Sequence, residues 1–224
     1  MRGTEMSGGK NLFILFIFII IFVNAGCSHQ QTPTKEMYDV LEEAASKEKT
    51  FEEQQEPLTE LEGKEKELYQ QIISLGMKEY SQISKLSDEA VSSAEKRKEL
   101  FEKETKSIKE SEKTFKKGSS IKGRIDDPGL KKSADHLYGT MTERYRAHES
   151  LYKAYMESIK NDIHLYKMFK NKDVPVDELE NQVEKANKSY NEVYTANEKF
   201  NKLTKDFNKE KLSFYKQAGL QKNH

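Results

Sequence analysis

The sequence has one cysteine, no tryptophan, four prolines and eleven glycines among its 224 residues, and its formal net charge is zero. The single cysteine, Cys27, excludes an internal disulfide bond, so the fold must be held together by side-chain packing. The 38 basic and 38 acidic side chains balance, which gives no bulk electrostatic reason to expect nucleic acid as a partner. The scarcity of proline and glycine leaves long stretches that can form uninterrupted helix.

The chain has one long apolar run, from Leu12 to Val23, and this run is too short to cross a membrane. As a helix it would cover about 18 Å, whereas the hydrocarbon core of a bilayer is about 30 Å thick. Arg2 and Lys10 precede the run and small residues follow it, which is the layout of an export signal. We therefore predict a signal peptide over residues 1–26.

The end of this segment, Ala25-Gly26-Cys27, resembles a bacterial lipobox, with Asn24 standing where an aliphatic residue is usual. The resemblance implies that Cys27 is the lipidation site, carrying a diacylglyceryl group on its thiol after cleavage of the chain before it. Ordinary signal-peptide cleavage and an uncleaved N-terminal anchor are the alternatives. All three place the body outside the cytoplasm, and lipidation predicts the outer face of the cytoplasmic membrane, facing the cell wall.

After a lipidated tether over residues 27–34, apolar residues recur at steps of three or four, which predicts amphipathic helices. The pattern predicts a single elongated all-α bundle over residues 35–218, followed by a polar tail over 219–224. Four long stretches joined by short turns favour an up-and-down antiparallel arrangement. Three long helices with a shorter first one are the alternative.

Local signals set the expected helix boundaries. Proline removes a backbone donor, so we expect a kink or short break near Pro57, and Gly76 is the expected end of the first helical stretch. The Gly118-Ser119-Ser120 segment is expected to lie in a loop. Asp127 followed by Pro128 predicts a helix start, because the aspartate side chain satisfies an orphan amide and proline needs no acceptor.

The basic part of the second stretch supplies a candidate binding site. We predict contact with an anionic wall polymer at four cations beside the Gly/Ser loop, where no helix pairing need neutralise them: Lys116, Lys117, Lys122 and Arg124. Pairing of the basic run with the acidic first stretch inside the bundle is the alternative.

The residues that carry catalysis or bind metals form no recognisable constellation. His136, His148 and His164 lie twelve and sixteen residues apart and make no Glu-x-x-His pair. No Gly-rich phosphate loop, Gly-x-Ser-x-Gly motif or Cys-His arrangement occurs. The sequence therefore predicts a protein that is not an enzyme and that has no metal site and no cofactor.

Three tyrosines, Tyr138, Tyr145 and Tyr152, recur every seven residues and could form a ladder for stacking on sugars. Tyr145 and Tyr152 also occupy the apolar seam of the third helical stretch. Core packing is the favoured interpretation.

The sequence also resembles the YkyA-type cell-wall-binding lipoproteins of Gram-positive bacilli and staphylococci. The resemblance lies in the overall pattern and in residues 41–44, 51–58, 67–77 and 187–190. It implies an all-helical bundle anchored to the membrane through the lipid on Cys27 and bound to the cell wall, and it supplies no catalytic motif. An adaptor that docks another envelope protein and a wall-active hydrolase are the alternatives.

Overall fold

The computed structural model describes residues 32–75 and 79–220, which form helices and short connections. The helices are α1 (Pro33–Lys47), α2 (Lys49–Ser74), α3 (Tyr80–Phe115), α4 (Gly118–Lys122), α5 (Pro128–Phe169) and α6 (Val176–Gln217). α1 and α2 together make the first of four long rods, and α3, α5 and α6 make the others. The predicted all-α bundle is confirmed.

The rods pack side by side in chain order. α2 packs on α3, α3 on α5 and α5 on α6, while α1 lies against α3 and α4. α5 and α6 have 42 residues each, so they are about 63 Å long. Short connections between such long helices make neighbouring rods antiparallel.

The antiparallel arrangement brings α6 back to the point where the described chain begins. Glu42 of α1 accepts hydrogen bonds from the Tyr215 hydroxyl at 2.6 Å and from Lys211 Nζ at 3.3 Å. The rings of Tyr38 and Tyr215 lie 4.6 Å apart. We call this the Thr32 end of the bundle; the end of α2, the start of α3 and the α5–α6 turn form the opposite end.

The capping signals of the sequence act as expected. Asp127 accepts a hydrogen bond from the Leu130 amide at 2.7 Å, and Pro128 occupies the first turn of α5. Thr32 caps α1 in the same way. After α6, Gly219 has a φ of 67°, the left-handed conformation that closes a helix and that glycine adopts without strain.

Of the kink or short break expected near Pro57, the break is wrong, because α2 runs through this residue and the interruption lies nine positions earlier, at Glu48. A kink at Pro57 stays a prediction. Phe51 and Leu58 on either side of the proline are 2% and 6% exposed. Their burial offsets the hydrogen bond that proline removes, which costs about 3 kcal/mol in an open helix. Glu48 breaks the rod because its carboxylate points into the core.

The expected loop at Gly118-Ser119-Ser120 is also absent from the structure. The Gly/Ser segment is not a loop, since Gly118 begins the short helix α4 and packs against Met37 of α1. Gly76 and Cys27 both lie outside the described residues.

The apolar core fills the half of the bundle at the Thr32 end. Phe101, Phe115, Phe200 and Phe214 are at most 4% exposed and lie in one cluster with side chains from every described helix. A smaller apolar group, including Leu68 and others near the opposite end, lies outside this cluster. Buried charged side chains interrupt this apolar packing: Glu48 and Arg144 lie among residues of the main cluster, and Arg97 and Asp162 lie nearer the opposite end.

Candidate functional site

The four cations predicted to bind an anionic polymer lie at the Thr32 end, and each has a carboxylate neighbour. Lys116 pairs with Glu112 at 2.8 Å and Lys117 with Glu43 at 3.3 Å, while Lys122 pairs with Asp135 and Arg124 with Glu36. The premise that helix pairing leaves them unneutralised is therefore wrong. Their contact with an anionic polymer itself stays a prediction.

The tyrosine ladder turns towards α3. Tyr138 stacks on Phe115 with ring centroids 4.8 Å apart, and Tyr152 lies parallel to Phe101 at 6.2 Å. Tyr145 is 5% exposed, and its hydroxyl lies 2.8 Å from that of Ser111. The seven-residue spacing is thus a packing feature of the α3–α5 interface, as the seam position favours.

A fully buried ion pair fixes the break in the first rod. The Arg144 guanidinium donates to both carboxylate oxygens of Glu48, at 2.8 and 2.7 Å, and both residues are at most 2% exposed. Arg144 Nε donates to Thr204 Oγ1 at 2.8 Å, and Ser111 Oγ donates to Glu48 at the same distance. One charge pair therefore links the first rod to α3, α5 and α6, with its polar atoms satisfied.

A second buried group lies nearer the opposite end. Arg97 Nη2 donates to Asp162 at 2.6 Å, and the Tyr190 hydroxyl donates to the same oxygen at 2.7 Å. Burial raises the pKa of Asp162, whereas these two donors oppose the rise. They favour an ionised Asp162 and an Arg97–Asp162 ion pair that joins α3 to α5.

Glu65 of α2 lies beside this pair but hardly shares in it. Its carboxyl is 3.2 Å from Arg97 Nη2, and both of its oxygens are buried without a well-formed hydrogen bond. Burial raises the pKa of Glu65 to about 8, against the attraction of Arg97. The raised pKa favours a protonated Glu65 at neutral pH, which leaves Asp162 as the ionised partner of Arg97.

Glu104 and His148 form a third buried contact. Glu104 accepts a hydrogen bond from Gln55 Nε2 at 2.9 Å, and its other oxygen lies 3.3 Å from His148 Nε2. Burial raises the pKa of Glu104 to about 8 and lowers that of His148 to about 3. The geometry then fits a protonated carboxyl that donates to a neutral imidazole, so the two side chains share a hydrogen bond without charge.

These buried groups are suited to holding helices together and unsuited to catalysis. The buried carboxyl and guanidinium groups are at most 3% exposed, so no substrate reaches them without opening of the bundle: Glu48, Glu65, Arg97, Glu104, Arg144 and Asp162. Among residues 32–75 and 79–220, no group of three His, Cys, Asp or Glu side chains is arranged to hold a metal ion. Within the same residues no helix is long and apolar enough to cross a bilayer.

The described surface carries grooves that are open to solvent. One, lined by Pro57, Leu61, Lys96, Leu100 and neighbouring residues, runs between α2 and α3. The other follows the first turns of α3 from Tyr80 to Ser92. Neither brings together the buried ionisable groups described above.

Charges on the outer face of α6 separate along the helix, a feature that the sequence analysis did not recognise. The half nearest the opposite end exposes more acidic residues than lysines: Asp177, Glu178, Glu180, Glu184 and Glu192 against Lys185 and Lys188. The half at the Thr32 end exposes Glu198 and five lysines, of which Lys199 lies to one side and four form what we call the lysine strip: Lys202, Lys205, Lys209 and Lys216. At about 100° per residue, the strip occupies a sector of about 60° around the helix.

The fold and its interior define a class: an all-α bundle whose long rods are joined by buried ion pairs. The model of the YkyA family, described as "Putative cell-wall binding lipoprotein", matches residues 32–217. The chain therefore belongs to the YkyA family. It is 34% identical over 194 residues to a Bacillus subtilis (strain 168) protein named "Uncharacterized lipoprotein YkyA", covering 87% of this chain and 86% of that protein.

A solved structure supports the fold independently. The bundle matches the crystal structure of a conserved protein of unknown function from Staphylococcus aureus with a TM-score of 0.71. The match covers 83% of this chain and 97% of that chain at 22% sequence identity, so it bears on the fold alone.

Proposed function

We propose that this protein is a lipoprotein anchored through Cys27 to the outer face of the cytoplasmic membrane, where its helical bundle binds the cell wall and catalyses no reaction. The observation that carries the proposal is membership of a family of lipoproteins over residues 32–217. The short apolar run and the Ala25-Gly26-Cys27 sequence supply the matching attachment point.

The length of the bundle supports a role beyond the bilayer surface. Helices of about 63 Å are twice as long as the hydrocarbon core is thick, so a bundle held at one end can reach into the wall layer. Two acyl chains on one cysteine anchor stably, because each buried methylene contributes about 0.8 kcal/mol. The family description supplies wall binding as the activity to be tested.

The anchor is tested by changing Cys27→Ala in the full chain and following acyl labelling and membrane retention. Because the chain contains one cysteine, the variant has no alternative thiol for the lipid. We expect both acyl labelling and stable retention to be lost. Acylation at the wild-type level in the variant would refute the proposed attachment.

Wall binding is tested by retention of residues 28–224 on purified cell walls at rising salt. Exposed charge contacts weaken because the screening length falls from about 10 Å at 0.1 M to about 3 Å at 1 M. We expect salt-sensitive retention that falls when the four predicted contact cations are changed to Ser: Lys116, Lys117, Lys122 and Arg124. If neither salt nor these changes reduce retention, the contact lies elsewhere on the bundle. If the protein is not retained at all, wall binding is refuted.

An adaptor function is favoured by one observation, the exposure of apolar side chains at the opposite end. Ile73 is 57% exposed and Val176 is 70% exposed. Exposed apolar positions suit docking of a protein partner better than binding of a charged polymer. Crosslinking in cells followed by mass spectrometry would identify such a partner, and zymography on purified walls would detect a hydrolase by released fragments.

A further inference from the structure

We propose that the lysine strip of α6 binds the anionic lipid headgroups of the membrane that holds Cys27, and so holds the C-terminal end of α6 at the bilayer surface. The inference rests on the proposed lipid anchor and goes beyond it, since it assigns a second membrane contact to the folded body. It starts from the position of the strip, its charge and its one exposed apolar neighbour.

The strip lies at the end of the bundle nearest the attachment point. Lys211, two residues after Lys209, pairs with Glu42 of α1, and the ring of Tyr215 packs on Tyr38. Thr32, where the described chain begins, is five residues after Cys27. An extended chain of that length reaches about 17 Å. The anchor therefore restricts the Thr32 end to a short distance from the headgroups.

The four lysines of the strip carry charge that the bundle does not neutralise. Within the described part of the chain, none of them has a carboxylate oxygen within 4.0 Å, the limit for an ion pair. Three acids of α6 lie within one turn of the strip: Glu198, which accepts a hydrogen bond from the Tyr194 hydroxyl at 2.7 Å, Asp206, on the flank of the strip, and Glu210, which lies 3.0 Å from His136 Nε2. Ammonium groups in this state are free to contact lipid phosphates, and such contacts are strongest on an anionic surface.

Leu212 adds an apolar contact beside the lysines. It is 56% exposed and faces outwards one turn after Lys209. An exposed leucine beside lysines can enter the headgroup region, so its apolar burial adds to the attraction between the ammonium groups and the phosphates. The acidic half of the same face would be repelled by an anionic surface, which confines the contact to the half at the Thr32 end. A membrane reached through the short tether contacts one end of the bundle, whereas a wall polymer would surround all of it. Contact limited to one end therefore fits a membrane better.

The test uses residues 28–224, without lipid, and vesicles of phosphatidylcholine with or without phosphatidylglycerol. This part folds alone, because its core lies within the described helices and the matched S. aureus chain consists of the same bundle. We expect binding to the anionic vesicles only. The variant carrying Lys202→Gln, Lys205→Gln, Lys209→Gln and Lys216→Gln should bind at least about thirtyfold more weakly, with an unchanged helical circular dichroism spectrum.

A matched control removes the same charge from the half of the bundle nearer the opposite end. Its changes are Lys64→Gln, Lys66→Gln, Lys85→Gln and Lys96→Gln, at exposed lysines of α2 and α3. We expect less than about threefold weakening of vesicle binding, because salt screens charges that lie more than about 8 Å from the lipid at physiological ionic strength. Equal losses in both variants would overturn the proposal, since net charge rather than the strip would then drive binding.

The orientation is tested with single cysteines, because residues 28–224 contain none. A polarity-sensitive dye on Leu212→Cys should report a less polar environment when anionic vesicles are added. The same dye on Ile73→Cys, at the opposite end, should report no change. A response at Ile73→Cys and none at Leu212→Cys would overturn the proposed contact.

The outcomes separate this proposal from the anchor and from wall binding. Lipid-free protein tests the strip whether or not Cys27 is acylated, and acyl labelling of Cys27 tests the anchor whether or not the strip binds. Loss of retention on purified walls in the strip variant, with vesicle binding unchanged, would overturn the membrane contact and assign the strip to wall polymer.

Discussion

We expect the free energy of unfolding of this bundle to fall as the pH rises from 5 to 8, and we expect Glu104→Gln to remove much of that fall. The protonated Glu104 carboxyl accepts a hydrogen bond from Gln55 and donates one to neutral His148. A glutamine reproduces both, because its oxygen accepts and its amide nitrogen donates. The variant therefore mimics the protonated state at every pH.

The magnitude follows from the difference in pKa between the folded and unfolded chains. Burial raises the pKa of Glu104 from 4.5 to about 8 in the folded protein. The folded chain holds this proton when the unfolded chain has released it, so the free energy of unfolding falls between pH 4.5 and about 8. At about 1.4 kcal/mol per unit, wild type should lose on the order of 4 kcal/mol more than the variant between pH 5 and 8.

Urea unfolding of residues 28–224, followed by circular dichroism at pH 5, 6.5 and 8, measures this difference. Glu102→Gln on the exposed side of α3 is the matched control and should follow the wild-type pH dependence. Parallel curves for wild type and Glu104→Gln would refute the reasoning, because Glu104 would then ionise with its ordinary pKa. In that case His148 would hold the proton, and the contact would be an ion pair.

Two further predictions concern the break in the first rod and the start of α5. Glu48→Gln should lower the free energy of unfolding by about 3–5 kcal/mol, because it leaves the buried Arg144 without its counter-charge. Glu48→Leu combined with Arg144→Met should recover most of the lost stability. No recovery would show that the hydrogen bonds of the pair contribute more to stability than burial of its charges costs. Asp127→Ala should cost about 1 kcal/mol through the lost cap on the Leu130 amide. Both are measured by urea unfolding at pH 7, and a neutral Asp127→Ala would show that Pro128 starts the helix unaided.

The helical class and the start of α5 could be predicted from the sequence because their causes are local. Asp127 with Pro128, Thr32 with Pro33, and Gly219 act on groups within a few residues of themselves. The apolar seams also recur at the spacing that any amphipathic helix requires. The family resemblance rested on the same local stretches, and the family match confirms it.

The position of the first break could not be predicted, because its cause lies in another helix. Glu48 leaves helical geometry where its carboxylate meets Arg144, 96 positions further along the chain. Pro57 looked like the stronger breaker, yet the packing of Phe51 and Leu58 keeps α2 continuous. Local propensity is a weak influence when buried contacts on both sides of a residue oppose it.

The candidate sites show the same division. Cys27 could be assigned from three adjacent residues, because a processing site is a sequence read in an extended chain. The ion pairing of the four predicted contact cations could not be assigned from the sequence, because two of their partners come from α1, more than 70 positions away: Lys116, Lys117, Lys122 and Arg124.

The sequence by itself determined that this protein is helical, that its body lacks a cysteine and that its N-terminal run is too short to span a bilayer, since each follows from composition or from spacing along one segment. Only the tertiary structure decided which charges are buried, paired or free. Glu65 and Glu104 resemble the many other glutamates of the chain in sequence, yet burial raises the pKa of each to about 8. The lysine strip lies on an exposed face of α6, so no carboxylate of another described helix pairs with it.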